Sequence, residues 1–139
     1  MEKSSFQFSR PQLLELKYVI NENSSYVDGT EFDIRFGLNI QRDSTQRQAT
    51  VALRVEVGEE ANKDVPFHIV AAMKSTFTWN ESDKPAAIDV MLKQNATALL
   101  ISYIRPVVAS VMNWSSYQTF EIPFIDVTTL DINVPILEK

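Results

Sequence analysis

The sequence predicts an α+β fold in which a four-stranded antiparallel meander sheet is packed by one long, kinked C-terminal helix. Apolar and polar residues alternate in several runs over the first two-thirds of the 139 residues. The breaks between these runs are short, and the spacing of apolar residues becomes helical after residue 82. We expect a single domain, with strands over about 12–80, the helix over about 84–113 and an extended tail over 114–139.

The clearest strand pattern lies between residues 31 and 41, where every second residue is apolar. This period of two is typical of a strand with one buried and one solvated face. Residues 51–57 and 65–79 repeat the pattern, and residues 14–20 show it less cleanly. Parallel strands need crossovers of a dozen residues or more, so the short breaks between these runs favour antiparallel hairpins.

The helix is predicted from a helix-start motif and from a stripe of apolar residues at helical spacing. Ser82, Asp83, Lys84 and Pro85 combine a capping-type residue with proline in the first turn. Pro106 lies inside the pattern, and we expect it to kink or divide the helix, because proline removes a backbone donor and clashes with the preceding turn. The stripe is wider than one sheet face would cover and consists of Leu99, Leu100, Ile101, Tyr103, Ile104, Val107, Val108, Val111 and Met112.

The composition excludes several classes of function. A net charge of −5 argues against sequence-independent nucleic-acid binding, which depends on Lys and Arg releasing counterions from phosphates. The absence of Cys excludes disulfides and thiolate metal sites. The first residues lack the basic and apolar regions of a signal peptide, and the longest apolar segment, 96–112, is too short and too polar to span a bilayer. We therefore expect a cytoplasmic protein without nucleic-acid partners or membrane insertion.

Residues for catalysis are few, so we expect no enzyme, no metal site and no cofactor. His68 is the one histidine, and its register in the strand places it on the polar face. Three glycines cannot form the glycine-rich loops that bind phosphates, and no G-x-S-x-G motif occurs. An alternative is a small helix-over-sheet enzyme such as the hotdog fold of thioesterases. That fold places its long helix before most of its strands, whereas four predicted strands precede the helix here.

Aromatic residues are concentrated near the end of the last predicted strand and after the helix. They are Trp79, Trp114, Tyr117, Phe120 and Phe124. One interpretation is that they close the core. The other is that some of them line a groove for an extended apolar peptide or a partner subunit, since extensive exposed apolar surface usually marks an interaction site.

Several short motifs resemble the SecB-type protein-export chaperones. Residues 51–57, V-A-L-R-V-E-V, are similar to that family's V-x-L-R-V-x-V strand, and residues 103–105 are similar to the Y-A-R core of its P-Y-A-R-E motif. Pro66, Phe67 and Phe77 stand where the family has its strand opening and aromatic residues, and residues 117–123 resemble its F-P-x-L-x-L-x-P stretch. The resemblance covers about residues 12–127. It implies a SecB-like fold and ATP-independent binding of unfolded clients.

The sequence departs from the family's pattern at other positions. Ser102 and Pro106 stand where the family has Pro and Glu. Asn21, Ser25 and Val70 stand at the positions of the acidic residues with which the family docks on the translocase motor. Residues 114–139 do not resemble the family's second C-terminal helix and basic tail. The resemblance therefore does not imply that this chain docks on the translocase motor or forms the family's tetramer.

We expect this protein to bind unfolded or extended polypeptides in the manner of a chaperone, with protein export as the role that the resemblance implies. The residues assigned to peptide binding are Phe77, Trp79, Val108, Met112, Trp114 and Tyr117. An alternative is a dedicated interaction or self-association module, such as the chaperone partner of a toxin–antitoxin system. In that version the chain forms a homo-oligomer, whose interface residues are Leu100, Ile104, Val108 and Val111.

Overall fold

The computed structural model describes residues 1–25, 33–60, 64–115, 122–130 and 134–138. A π-helical segment, Met91–Asn95, joins two α-helices into one long C-terminal helix. The α+β class and this long helix are therefore confirmed. In chain order the elements are β1 (Gln7–Phe8), β2 (Gln12–Ile20), β3 (Ile34–Asp43), β4 (Gln48–Gly58), β5 (Phe67–Thr78), α1 (Pro85–Val90), α2 (Ala96–Met112) and β6 (Ile136–Glu138).

The described strands form one mixed six-stranded sheet, which differs from the predicted four-stranded antiparallel meander. The β3–β4 and β4–β5 hairpins occur as predicted, but β2 pairs with β5 and not with β3. β1 continues the line of β2 along β5, and β6 pairs in parallel with β3. An alternating pattern predicts strands without their order. The segment between β2 and β3 is long enough to cross the end of a sheet whose strands lie about 4.8 Å apart.

The core lies between the helix and the face of the sheet that we call the inner face. α2 packs on β4 and β5, the middle strands, where Leu53, Val55, Phe67 and Ile69 are each at most 1% exposed. Burial of such side chains is worth roughly 1.5–3 kcal/mol each, so this layer is the main source of stability. From the helix, the core receives Ile88, Leu92, Leu100, Ile104, Val108 and Met112.

The helix starts where the sequence predicts, with Pro85 in its first turn. The N-cap residue is Lys84, and no side chain among the described residues caps the first turn. Asp83 instead accepts hydrogen bonds from the Ser5 hydroxyl at 2.9 Å and from the Asn80 backbone N–H at 2.8 Å. The capping-type residue therefore ties the helix start to the N-terminal segment and to the end of β5.

Pro106 does not divide the helix, which continues unbroken to Met112. The departure from α-helical hydrogen bonding lies earlier, in the π-helical segment. From Pro85 to Met112 the helix counts 28 residues, and an 18-residue stretch of it has a mean hydropathy of 1.3. By length and composition it could cross a membrane, which differs from the expectation drawn from residues 96–112 alone. Core helices packed on a sheet meet the same criterion, so the length of the helix by itself assigns no location.

A cluster of ion pairs lies on the opposite, outer face of the sheet, around Glu56. Arg35 Nη2 is 2.8 Å from Glu56 Oε1, Arg54 pairs with Glu56 Oε2, and His68 Nε2 is 3.1 Å from Glu56 Oε1. His68 is 7% exposed, so its neighbours cover it although it lies on the polar face. Hydrogen bonds from Arg35 and Arg54 lower the pKa of Glu56 to about 2.

We expect Glu56 to contribute stability that depends on pH. Because its pKa is lowered in the folded chain from 4.5 to about 2, the contribution is present above the unfolded pKa and is lost as the pH falls through this interval. Glu56→Gln should lower the free energy of unfolding at neutral pH by about 1–3 kcal/mol. Urea titrations should show this difference shrinking toward pH 2. A loss of equal size at both pH values would contradict the expectation.

A matched control for this variant is Glu15→Gln. Glu15 forms one exposed pair with Arg54 at 3.4 Å, so its loss should change the free energy of unfolding by less than about 0.5 kcal/mol.

Gly58 ends β4 with a φ of +74°, a left-handed conformation that disfavours residues with a Cβ. A Cβ there would lie 2.1 Å from the carbonyl oxygen of Phe67. Gly58→Ala should therefore lower the free energy of unfolding by about 2 kcal/mol or more, as measured by urea denaturation. At Gly37 an added Cβ would lie 3.8 Å from the Arg54 Cβ. We therefore expect no loss for Gly37→Ala, and similar losses in both variants would contradict the prediction.

Candidate polypeptide-binding surface

One edge of the sheet exposes apolar side chains beside the helix. In the β2–β5 ladder, Leu16 lies opposite Ala71 and Ile20 lies opposite Phe67. Directly opposite residues project to the same face, so Leu16 and Ile20 lie on the inner face. They are nevertheless 44% and 41% exposed, because the helix packs on β4 and β5 and leaves β2 largely uncovered.

Phe8 and Tyr103 extend this apolar row. Phe8 lies opposite Phe77 in the β1–β5 ladder, and its ring centroid is 6.3 Å from that of Tyr103 in an edge-to-face arrangement. Both side chains are more than one-third exposed, at 42% and 38%. Leu13, opposite Met73 on the same face, is 43% exposed. We call these five side chains the edge surface: Phe8, Leu13, Leu16, Ile20 and Tyr103.

The backbone of β2 is open along one side. β2 pairs with β5, and no other strand in the described part of the chain pairs with it. An edge strand presents a row of N–H and C=O groups to which another extended chain can add. Because the edge surface lies directly beside this row, the arrangement can bind an extended apolar polypeptide.

Charged residues lie on the outer face of the same edge. Lys17 Nζ is 2.8 Å from Glu60 Oε2, and Arg54 Nε is 3.4 Å from Glu15 Oε1. The hydrogen bond from Lys17 lowers the pKa of Glu60. These exposed pairs add little stability, but they separate a charged outer face from an apolar inner face along one strand.

Three of the residues predicted to bind peptide lie in the core. Phe77, Val108 and Met112 are each at most 2% exposed, because the helix packs directly on β5. Their side chains contact residues of this chain, and a peptide would reach them only if the helix moved away from the sheet. The structure thus places them behind the surface that a peptide would contact.

The other three predicted residues lie in different surroundings. Trp79 is partly buried against the core and lines an open cleft of about 340 Å³ together with Arg42 and Arg47. Trp114, just after the helix, is 89% exposed. Tyr117 lies outside the described residues. Over the described ranges, no group of three or more His, Asp or Glu side chains is placed to hold a metal ion.

The predicted oligomer interface is likewise mostly internal. Leu100, Ile104 and Val108 are fully buried, and Val111 is partly buried. The middle of the stripe packs on two strands of the sheet, whereas Tyr103 at its margin belongs to the edge surface. The predicted interface residues do not form an accessible surface for a second copy.

Sequence reasoning did not single out the edge surface. The alternation over residues 14–20 predicts a strand whose apolar face is buried, like those of the other strands. The departure from strict alternation near Leu13 and Leu14 was a usable signal, because it marks an irregularity in the ladder between Leu13 and Glu15. Such irregularities are frequent at the edges of sheets.

Comparison with solved structures gives the following matches. The SecB-like chaperone Rv1957 of Mycobacterium tuberculosis, in complex with a ChAD peptide from the HigA1 antitoxin Rv1956, matches with a TM-score of 0.68 and 15% identity, over 88% of this chain and 91% of that chain. A protein of unknown function from Streptococcus agalactiae matches with a TM-score of 0.47 and 14% identity, over 88% of this chain and 100% of that chain. No family model and no curated protein matches the sequence. The chain therefore has a SecB-like fold, as the motifs implied, and the likeness concerns the fold alone.

Proposed function

We propose that this protein binds unfolded or extended segments of other polypeptides, without ATP and without a catalytic step. The observation that carries the proposal is the edge surface, where exposed apolar side chains lie beside an open strand edge. The SecB-like chaperone of similar fold is described in complex with a peptide from an antitoxin. That description supports the binding of an extended polypeptide here.

Binding at the edge surface combines two contributions. A client strand added to β2 forms backbone hydrogen bonds that do not depend on the client's sequence. Apolar client side chains that cover the edge surface contribute about 25 cal/mol per Å² of apolar area removed from water. Ordering an unfolded client costs about 2–5 kcal/mol or more, so the affinity is modest and release needs no nucleotide.

A dedicated client is the narrower version of this function. The antitoxin peptide in the similar structure favours a toxin–antitoxin partner over protein export. Asn21, Ser25 and Val70 lack the charge that the resemblance associates with translocase docking, which weakens the export version further. We propose a cytoplasmic location, with which the absence of Cys from the chain is compatible.

Self-association through β2 is a second candidate function. Two β2 strands paired antiparallel about Leu16 place Glu15 of each copy opposite Lys17 of the other. Opposite charges at directly facing positions stabilise a strand pair, so this edge is complementary to itself. Such pairing uses the same strand edge as client binding, and the two functions would therefore compete.

Leu16→Asp should weaken the binding of a reduced, carboxymethylated polypeptide that cannot refold by about tenfold or more. The change replaces an apolar contact with a carboxylate that loses hydration on binding. Fluorescence anisotropy of the labelled polypeptide measures the affinity, and the folded form of the same polypeptide should not bind. Gln12→Asp, which places the same charge on the outer face of the same strand opposite Lys74, is the matched control and should bind as the wild type does.

Light scattering during the same titration separates the two candidates. A wild-type dimer that Leu16→Asp converts to a monomer, with no polypeptide bound by either form, would favour self-association. Equal polypeptide affinity of wild type and Leu16→Asp would contradict the edge surface as the binding site.

Trp114→Ala tests the aromatic residues predicted from the sequence. Because Trp114 is 89% exposed, the free energy of unfolding should change by less than about 0.5 kcal/mol, while client affinity should fall severalfold. Trp79→Ala serves as a contrast, because the loss of its partly buried ring should also lower the free energy of unfolding. If folded Trp114→Ala binds the unfolded polypeptide as tightly as the wild type, Trp114 is not part of the site.

A further inference from the structure

The flank of α2 that faces away from Tyr103 is covered by the chain's own C-terminal segment. We call residues 122–130 and 134–138 the tail. Ile122 is 1% exposed, and its carbonyl oxygen accepts a hydrogen bond from Arg105 Nε at 3.0 Å. The guanidinium carbon of Arg105 also lies 5.9 Å from the centre of the Phe124 ring. One helix residue thus holds the start of the tail by its backbone and by an aromatic side chain.

Apolar side chains of the tail also contact the core. Ile125, Val127, Leu130 and Ile136 are partly buried against the core. An open cleft of about 130 Å³ lies between the tail and the helix residues Ala98, Ile101 and Arg105. The outer margin of the contact between the tail and the helix is therefore accessible from solvent.

The tail ends by adding a strand to the sheet. Residues 136–138 pair in parallel with residues 40–42 of β3. Arg42 Nε is 2.6 Å from Glu138 Oε1, and the Ser44 hydroxyl donates to Glu138 Oε2 at 3.1 Å. Both a backbone ladder and a charged side chain therefore hold this end.

These contacts are those of a receptor with an extended peptide. Peptide-binding domains commonly combine strand addition, apolar grooves for side chains and cationic residues for acidic groups. The tail itself carries Pro123 and Pro135, which cannot donate to a ladder. It is held in the way that a ligand is held, through a few side chains and a three-residue ladder.

We propose that the tail is the intramolecular occupant of a second peptide groove, from which an extended apolar segment of another protein displaces it. The competing segment carries an acidic residue that pairs with Arg42 in place of Glu138. This inference rests on the proposed function and adds to it a second site and its regulation. A tethered segment acts at an effective concentration on the order of millimolar. Only a segment whose dissociation constant for the groove lies well below this concentration therefore displaces the tail.

The test uses the full chain and a fluorescently labelled peptide of residues 122–138. A release variant combines Ile125→Asp with Glu138→Lys, which removes an apolar contact and places a like charge opposite Arg42. The labelled peptide should bind the release variant saturably and about tenfold or more tightly than it binds the wild type. Leu137→Asn changes a neighbouring tail residue that is 46% exposed, and this matched control should behave as the wild type.

Equal affinity of the peptide for the wild type and the folded release variant would overturn the inference. If circular dichroism shows that the double variant is unfolded, Glu138→Lys alone takes its place, because the Glu138 side chain is 50% exposed. It should still raise peptide affinity, and no increase overturns the inference. The carboxymethylated polypeptide is titrated in parallel, so the two proposals fail separately. If this polypeptide binds neither the wild type nor the release variant, the proposed function is contradicted. The labelled peptide tests separately whether the tail occupies a peptide groove.

Discussion

A mismatch of width between one helix and one sheet governs the rest of this structure. A helix with its side chains is about 10 Å across, whereas four strands spaced about 4.8 Å apart form a much wider surface. α2 therefore covers β4 and β5 and cannot also cover the strands on either side. The inner faces of β2 and β3 depend on other elements, and these two edges determine which surfaces are available for binding.

The two edges differ in what lies beside them. At β3 the tail adds β6 as a further strand, and Ile40, opposite Ile136 in the β3–β6 ladder, is fully buried. At β2 the apolar side chains of Leu16 and Ile20 remain exposed. A protein that binds unfolded chains needs apolar surface that is accessible without unfolding its own core. A sheet wider than its helix provides such surface while Val108 and the rest of the core stay buried.

The charges favour the inner side of the sheet for the proposed binding. Arg35, Arg54 and Glu56 form a network on the outer face, where an apolar client would have to displace water from ionised groups at a cost in free energy. Both candidate grooves lie on the inner side, on opposite flanks of the same helix. A long client could therefore contact both, and the tail would regulate only one of them.

The sequence by itself determined the local elements, because the periods of two and of 3.6 residues are local properties of strands and helices. The hairpins of β3, β4 and β5 and a helix that ends at Met112 follow from these periods. The partner of β2 did not follow from them, since alternation is the same whichever strand lies alongside. The position of the candidate polypeptide-binding surface could not be predicted from the sequence for a similar reason. Phe77 and Leu16 are both apolar residues on inner faces. The position of α2 over the middle strands and the stacking of the Phe6 ring on Phe77 bury the first, whereas the second stays exposed.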